Sequence, residues 1–217
     1  MKKTRVLIAD DHKILREGLR HIIQNDLHFE VVALATDGRN AIALASDLHP
    51  DLILMDISMP DLNGVEATRQ ILEMSPQVKI IALSMHTSKE FVSKMLKAGA
   101  AGYLLKDCAV DELGDAIRCV LANKIYISPD IAGVVIEDYL RHLEEPAGKP
   151  LTKLTPKERE VLQLIAEGKS TKEVAAILNT SISTIETHRQ HIMDKLNMHT
   201  VAELTKYAIR EGLTSLE

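Results

Sequence analysis

Residues 6–11, VLIADD, decide the fold, because an apolar run ends there in two carboxylates, Asp10 and Asp11. Comparable apolar runs recur along the first half of the chain, and segments with apolar residues at helical spacing separate them. These runs are Val6–Ala9, Val31–Leu34, Leu52–Met55, Ile80–Leu83 and Gly102–Leu105. Strands without polar alternation are typical of a parallel sheet that helices cover on both faces. The sequence therefore predicts an α/β fold with five βα units and a doubly wound parallel sheet, ending in a helix near residues 110–122.

Polar side chains follow four of these predicted strands. They are Asp10 and Asp11 after the first, Asp56 after the third, Ser84 after the fourth and Lys106 after the fifth. The carboxyl ends of parallel strands meet at one edge of the sheet, where ligands bind. Clustered carboxylates repel one another, so they favour a hard divalent cation such as Mg²⁺. With the cation bound, one aspartate can attack a phosphoryl group whose oxygens the metal and a lysine neutralise. Each residue alone is typical of a turn, but the set predicts a cation and phosphate site.

The C-terminal third has a different pattern, in which a Ser or Thr precedes a Glu by three residues four times. Such pairs form capping boxes at helix N-termini. The pairs are Thr155 with Glu158, Ser170 with Glu173, Ser183 with Glu186, and Thr200 with Glu203. Residues that favour helix ends follow each predicted helix, namely Gly168, Asn179, Asn197 and Gly212. We therefore predict a second, all-α domain of four helices.

Between the two patterns, residues 131–143 have helical spacing, and residues 144–150, EEPAGKP, have the prolines, glycine and charges of a linker. The chain carries a net charge of −5, and residues 151–217 contain nine Lys or Arg against nine Asp or Glu. Charge alone therefore does not predict a nucleic-acid partner. No run approaches the roughly 18 apolar residues of a membrane span, so we expect a cytoplasmic protein without membrane contact. The cysteines lack metal-ligand spacing, and no function is assigned to them.

The first pattern resembles a known family. The motifs VLIADDH, LILMDISMPDLNGVE, IIALSMH and AGAAGYLLKD, within residues 4–125, are similar to the receiver domain of the NarL/FixJ family of response regulators. The resemblance implies a flavodoxin-like (βα)5 fold and a phosphoryl group carried by Asp56. It also implies that phosphorylation stabilises a conformation already present at low occupancy.

The resemblance assigns a role to each residue of the predicted site. Asp11, Asp56 and the backbone carbonyl of Ser58 would bind Mg²⁺, and Asp10 would act largely through water. Lys106 would contact the phosphoryl oxygens. The hydroxyl of Ser84 would move toward these oxygens, and Tyr103 would change rotamer with it.

Two residues depart from the receiver pattern. Asp107 stands where many receivers have a proline preceded by a cis peptide, and a cis bond before another residue costs about 3 kcal/mol. The loop after Lys106 is therefore expected to differ. Met85 is larger than the residue common after the serine, which suggests that it restricts access of water to the acyl phosphate.

Residues 152–217 resemble the LuxR-type helix-turn-helix. By this resemblance the first helix of the motif is Ser170–Leu178, the turn is 179–182 and the recognition helix is Ser183–Leu196. The first two turns of a recognition helix present side chains to the major groove. Glu186, Thr187 and Gln190 are the candidates for base contacts, and Thr184, His188, Arg189 and Lys195 for backbone phosphates. Glu186 has a second interpretation, because it also completes the predicted capping box on Ser183.

Together these features predict a receiver domain at 1–127, a linker with a helix at 128–151 and a DNA-binding domain at 152–217. The predicted function is phosphorylation-dependent regulation of transcription, without enzyme activity of its own. The expected partners are a sensor histidine kinase, double-stranded DNA and, when phosphorylated, a second copy bound through the receiver and the helix Thr200–Glu211. RNA polymerase is a further candidate partner.

Three alternatives stay open. An aspartyl-phosphate hydrolase would also need Mg²⁺ and an aspartate at a strand end, but such enzymes generally carry a DxD pattern on strand one. A degenerate receiver would never accept phosphate, although all five site residues are present here. The C-terminal domain could also be an ordinary four-helix interaction module. A P-loop enzyme is excluded, because GxxxxGK[ST] is absent.

Overall fold

The computed structural model describes residues 3–85, 89–133, 135–136 and 154–214, and the chain divides into two compact units, Met1–Glu145 and Pro146–Glu217. The predicted linker at 144–150, and the part of the predicted helix beyond residue 136, lie outside the described residues. Within the described residues, no helix is both long and apolar enough to cross a membrane.

The first unit is built on one parallel sheet of six strands. The strands are β1 (Thr4–Ala9), β2 (Phe29–Ala35), β3 (Leu52–Asp56), β4 (Lys79–Ser84), β5 (Gly102–Leu105) and β6 (Tyr126–Ile127), in the order β2-β1-β3-β4-β5-β6. The five predicted strands are confirmed. The sixth was missed, since its two residues are too few to show a strand pattern. It pairs in parallel with β5, with Tyr126 opposite Gly102 and Ile127 opposite Tyr103.

Helices cover both faces of this sheet. They are α1 (Lys13–Gln24), α2 (Gly38–Leu48), α3 (Gly64–Met74), α4 (Lys89–Lys97), α5 (Ala109–Leu121) and α6, of which residues 129–133 and 135–136 are described. One core cluster joins the sheet to α2, α3, α4 and Ile131 of α6, and a second joins it to α1 and α5. A single 3-10 turn, Lys106–Cys108, connects β5 to α5. The predicted doubly wound architecture is confirmed.

The second unit contains the four predicted helices around one apolar core. They are α7 (Pro156–Ala166), α8 (Thr171–Ile177), α9 (Ile182–Leu196) and α10 (Val201–Arg210). The capping boxes of Thr155, Ser170 and Thr200 are formed. The four residues predicted to end the helices all have positive φ, as a left-handed C-terminal residue requires.

The fourth predicted capping box, Ser183 with Glu186, was wrong. Ser181 is the N-cap of α9, and its hydroxyl oxygen accepts a hydrogen bond from the backbone N–H of Thr184 at 3.1 Å. The recognition helix therefore begins at Ile182, one residue before the predicted start, and Ser183 already lies in its first turn. Because the N-cap lies at Ser181, two residues before the predicted cap, Ser183 belongs to the helix and cannot cap it.

Candidate phosphorylation site and DNA interface

Three charged side chains meet at the carboxyl edge of the sheet. The Nζ atom of Lys106 lies 2.9 Å from Oδ2 of Asp10 and 2.8 Å from Oδ2 of Asp56. Asp10 is 0% exposed, Asp56 1% and Lys106 9%. Strands β1, β3 and β5 bring these residues together although they are far apart in sequence. One buried ammonium group therefore neutralises part of the charge of two buried carboxylates.

The pKa values of this cluster follow from its burial. Desolvation raises the pKa of Asp56 to about 6, with a further contribution from the neighbouring Asp10, while Lys106 acts in the opposite direction. Burial by itself would lower the pKa of Lys106, but the two carboxylates outweigh it and the pKa is raised. The ionised form of Asp56 is therefore costly in the absence of a further cation.

Asp11 extends the acidic cluster toward solvent. Its side chain is 27% exposed, and its Oδ1 lies 2.8 Å from Nδ1 of His12. Ligand atoms of Asp10, Asp11, His12 and Asp56 lie within 4.8 Å of one another. His12 was missed in the sequence, although it directly follows the two aspartates. The carboxylate oxygens suit a hard divalent cation.

The loop after β3 fixes the side chain of Asp56 by a hydrogen bond. The backbone N–H of Ser58 donates to Oδ1 of Asp56 at 3.2 Å, and the N–H of Gly64 donates to the carbonyl of Ile57 at 2.9 Å. A Cβ on Gly64 would lie 1.9 Å from the carbonyl oxygen of Asp56, so only glycine allows this approach. The loop therefore closes tightly on the end of the strand.

Ser84 and Tyr103 lie in the neighbouring strands β4 and β5, two residues apart in register, since Tyr103 is opposite Ala82. They are 1% and 0% exposed, and the two hydroxyl groups are hydrogen-bonded. Burial raises the pKa of Tyr103 to about 12. Met85, which follows Ser84, is 62% exposed. No cis peptide bond occurs in the described part of the chain, including the step from Lys106 to Asp107.

In the second unit, the candidate base contacts lie on the outer face of α9. Glu186, Thr187 and Gln190 are exposed. The amide of Gln190 donates to Oδ1 of Asp194 at 2.8 Å, and the hydroxyl of Thr187 donates to the carbonyl of Ser183 at 3.0 Å. Both side chains are therefore held in place along the helix surface, and both bonds are exposed enough to exchange for contacts with a ligand.

The candidates for phosphate contacts are more varied. Thr184 is exposed, whereas His188 and Arg189 are half-buried. A shallow concave patch joins Thr184, Thr187 and His188 to Ser183 and His191, two residues that were not predicted to contact DNA. Helical spacing could have indicated both, because they lie one turn from Thr187 on either side.

Lys195 forms an ion pair that the sequence did not indicate. Its Nζ lies 2.8 Å from both carboxylate oxygens of Glu158, whose side chain is 4% exposed. Glu158 also accepts from the backbone N–H of Thr155 at 2.7 Å. Lys195 thus joins the recognition helix to the N-terminus of α7, and a DNA phosphate would have to share or replace this ion pair.

Each of the two units matches a known protein family. Residues 6–118 match the family model of the response regulator receiver domain, and residues 152–208 match that of bacterial regulatory proteins of the luxR family. The chain is 38% identical to the transcriptional regulatory protein DegU of Brevibacillus brevis, covering 97% of this chain and 94% of the relative. It is also 38% identical to the response regulator UvrY of Escherichia coli, covering 98% and 96%.

Solved structures give the same result. A structure of the response regulator RcsB in complex with DNA matches with a TM-score of 0.60 and 28% identity, over 97% of this chain and 99% of that one. A LuxR-family response regulator from Aurantimonas sp. matches with a TM-score of 0.61 and 37% identity, over 64% and 99%. With its receiver fold, its acidic strand-end cluster and its helix-turn-helix unit, the chain belongs to the NarL/FixJ family of two-component response regulators, which are DNA-binding transcriptional regulators and not enzymes.

Proposed function

We propose that Asp56 accepts a phosphoryl group from a sensor histidine kinase and that this modification controls DNA binding by residues 152–217. The observation that carries the proposal is the buried arrangement of Asp56, Asp10 and Lys106. Asp56 is the member of the acidic cluster that ends the central strand β3. It lies next to the ammonium group of Lys106, whose positive charge can stabilise the transferred phosphoryl group.

In the proposed step, a carboxylate oxygen of Asp56 forms a bond to phosphorus while the P–N bond of the kinase phosphohistidine breaks. Lys106 neutralises charge on the phosphoryl oxygens, and it can do so because its ammonium already lies 2.8 Å from Asp56. The N–H of Ser58 holds the second carboxylate oxygen, which leaves the first oriented for attack.

Mg²⁺ fits this cluster, since the buried carboxylates are oxygen ligands whose repulsion a divalent cation would relieve. Asp11, Asp56 and the carbonyl of Ser58 would hold the ion, and Asp10 would contact it through water. When bound, Mg²⁺ supplies positive charge that stabilises the transferring phosphoryl group.

Ser84 and Tyr103 are the proposed switch. Because their hydroxyl groups are hydrogen-bonded, movement of Ser84 toward a phosphoryl oxygen would break the bond and change the position of Tyr103. Tyr103 is fully buried, so its displacement would change the packing between α4, β5 and the helix α6.

For DNA recognition we propose Glu186, Thr187 and Gln190 as the base-reading residues, because they are exposed on the outer face of α9. Thr184, His188 and Arg189 would contact phosphates. Since the helix is capped by Ser181, Glu186 is free of the predicted capping role and available for cytosine. We assign Lys195 first to orienting α9 through Glu158, and a phosphate contact of Lys195 stays a prediction.

Dimerisation is the proposed link between phosphorylation and affinity. Residues 151–217 carry equal numbers of basic and acidic side chains, so a single module should bind DNA weakly. Two joined modules can gain about 10²- to 10⁴-fold in avidity. In another solved structure, two dimers of RcsB, which is 27% identical to this chain over 97% of its length, are bound to two parallel DNAs. The receiver and α10 are the proposed dimer surfaces, with domain limits of 1–127 and 152–217.

The proposed setting is the cytoplasm, with RNA polymerase as a candidate further partner.

The test combines labelling with size measurement. Acetyl phosphate with Mg²⁺ should label the wild-type chain and leave Asp56→Asn unlabelled, and light scattering should detect dimers only of the labelled protein. A DNA titration should show tighter binding by the labelled chain than by the fragment 150–217. Normal labelling of Asp56→Asn would refute the acceptor. A labelled chain that gains affinity as a monomer would refute dimerisation as the switch.

A further inference from the structure

The sixth strand is an unexpected addition beside the switch residue Tyr103. After α5 the chain turns back at Asn123, whose φ is 59°, and the N–H of Tyr126 donates to the carbonyl of Ala101 at 3.1 Å. The N–H of Ser128 then donates to the carbonyl of Tyr103 at 3.0 Å. A strand of two residues at the edge of a sheet gains little from its own ladder. Other contacts must therefore hold it on β5.

Glu112 of α5 supplies two of those contacts, and the N–H of Leu105 in β5 supplies another by donating to the Ser128 hydroxyl oxygen at 3.4 Å. The Oε2 atom of Glu112 accepts hydrogen bonds from the hydroxyl of Ser128 at 2.6 Å and from the hydroxyl of Tyr126 at 3.0 Å. Ser128 is 0% exposed, while Glu112 and Tyr126 are half-buried. Hydrogen bonds to a carboxylate are stronger than those between neutral groups. We call the three side chains of Glu112, Tyr126 and Ser128 the β6 clamp.

The β6 clamp also fixes the start of the following helix. The carbonyl of Ser128 accepts from the N–H groups of Ile131 and Ala132, at 2.9 and 3.2 Å, so α6 begins at the clamped residue. Ile131 is fully buried in the same core cluster as Tyr103. The chain that leads out of the receiver is therefore attached to the strand of the proposed switch by backbone, side-chain and apolar contacts.

We infer that Glu112 is a positioning residue for signal output: through the β6 clamp it holds β6 and the start of α6 on β5, so that a change at Tyr103 is transmitted to the chain leading to the DNA-binding unit. This inference rests on the proposed function, because it presupposes a phosphorylation-driven change at Ser84 and Tyr103. It assigns Glu112 no contact with the phosphoryl group, since its partners belong to β6 and its end.

The test uses the full-length chain with Mg²⁺, with and without beryllofluoride (BeF₃⁻) as the phosphoryl mimic. Glu112→Ala should increase amide hydrogen exchange of residues 126–132 about tenfold or more, because loss of two charge-assisted hydrogen bonds favours local opening. In the wild type, BeF₃⁻ should change exchange in this segment, whereas the variant should exchange rapidly in both states. Labelling of Asp56 by acetyl phosphate should stay within about twofold of the wild type, since β1, β3 and Lys106 are unchanged.

Output is measured with a DNA duplex selected from a randomised pool by the BeF₃⁻-treated wild-type chain. The ratio of affinities with and without BeF₃⁻ should fall at least about fivefold in Glu112→Ala. Glu17→Gln is the control, because it removes an exposed ion pair with Arg20 in α1, outside the β6 clamp. Glu112→Gln retains one acceptor oxygen and should give an intermediate ratio. Tyr126→Phe, which removes one donor to Glu112, replaces Glu112→Ala if that variant does not fold.

The outcomes separate the two proposals. If the wild type neither becomes labelled nor gains affinity with BeF₃⁻, the proposed function fails, and the role of Glu112 fails with it. If the wild type responds and the clamp variants keep the full affinity ratio, the proposed function stands and the clamp is refuted as a coupling element. Exchange in residues 126–132 that does not accelerate in Glu112→Ala also refutes it.

Discussion

Replacing Lys195 by methionine tests whether this lysine stabilises the recognition helix or serves only DNA. The substitution keeps much of the side-chain length and removes the ammonium that lies 2.8 Å from both oxygens of Glu158. Glu158 has a 4% exposed side chain, whereas Lys195 is 40% exposed. Exposed pairs contribute about 0–1 kcal/mol and loss of one partner of a buried pair costs about 3–5 kcal/mol. For this half-buried pair we expect a loss of about 1–3 kcal/mol.

The pH dependence of that loss follows from Glu158. Burial opposes its ionisation, but the hydrogen bonds from Lys195 and Thr155 outweigh burial and lower the pKa below 4.5. A lowered folded-state pKa stabilises the fold above the unfolded-state pKa, and the contribution is lost as the pH falls through the folded-state value. The difference between wild type and Lys195→Met should therefore be complete at neutral pH and should diminish below 4.5.

Amide hydrogen exchange of α7 and α9 in the full-length chain provides the measurement, because it reports each unit separately. The expected loss corresponds to exchange that is about 5- to 150-fold faster at neutral pH. Lys206→Met, an exposed lysine of α10, is the control and should leave exchange unchanged. If Lys195→Met weakens DNA binding while exchange in α7 and α9 stays at the wild-type rate, the ion pair does not stabilise the unit and the DNA contact is the better account.

Three further predictions concern the two sites. Asp56→Asn should raise the free energy of unfolding of the metal-free receiver by about 1–3 kcal/mol at neutral pH, because a pKa raised to about 6 makes the ionised carboxylate unfavourable above that pH. This gain should vanish near pH 4, and urea titrations in EDTA that show no gain at neutral pH would contradict the prediction. Gln190→Ala should lower preference for the selected DNA duplex over random DNA by about 1–3 kcal/mol while leaving nonspecific affinity nearly unchanged, as measured by competition titration; equal preference would exclude Gln190 from base contact. Ser181→Ala should destabilise the second unit by about 1 kcal/mol in thermal unfolding, while Ser183→Ala should have little effect, and the reverse order would contradict the observed N-cap.

The sequence predicted the structure best where the same short pattern of residue types recurs along the chain. Apolar runs before Asp10 and Asp56 predicted the strands and the edge at which they meet, because strand direction alone brings those carboxylates together. Capping pairs such as Thr155 with Glu158 predicted helix starts for the same reason, since a cap is decided within four residues.

The features that could not be predicted depend on distant partners or on competition between neighbours. The pair of Lys195 and Glu158 joins residues 37 positions apart, and nothing near Lys195 in the sequence indicates it. Ser183 has the stronger local signal, because Glu186 follows it by three residues, but Ser181 is the observed N-cap. The strand β6 has only two residues and owes its place to Glu112, which lies in another element.

The way in which α9 is held has a consequence for building chimeric regulators. A recognition helix can be grafted from one relative to another to exchange DNA specificity. Here a graft that begins at Ser183 would leave behind the hydroxyl that starts the helix, and a graft onto a scaffold without a carboxylate at the position of Glu158 would leave Lys195 with no counter-ion. The smallest exchangeable cassette therefore begins at Ser181 and includes the N-terminal turn of α7, so it is defined by contacts and is not a continuous stretch of chain.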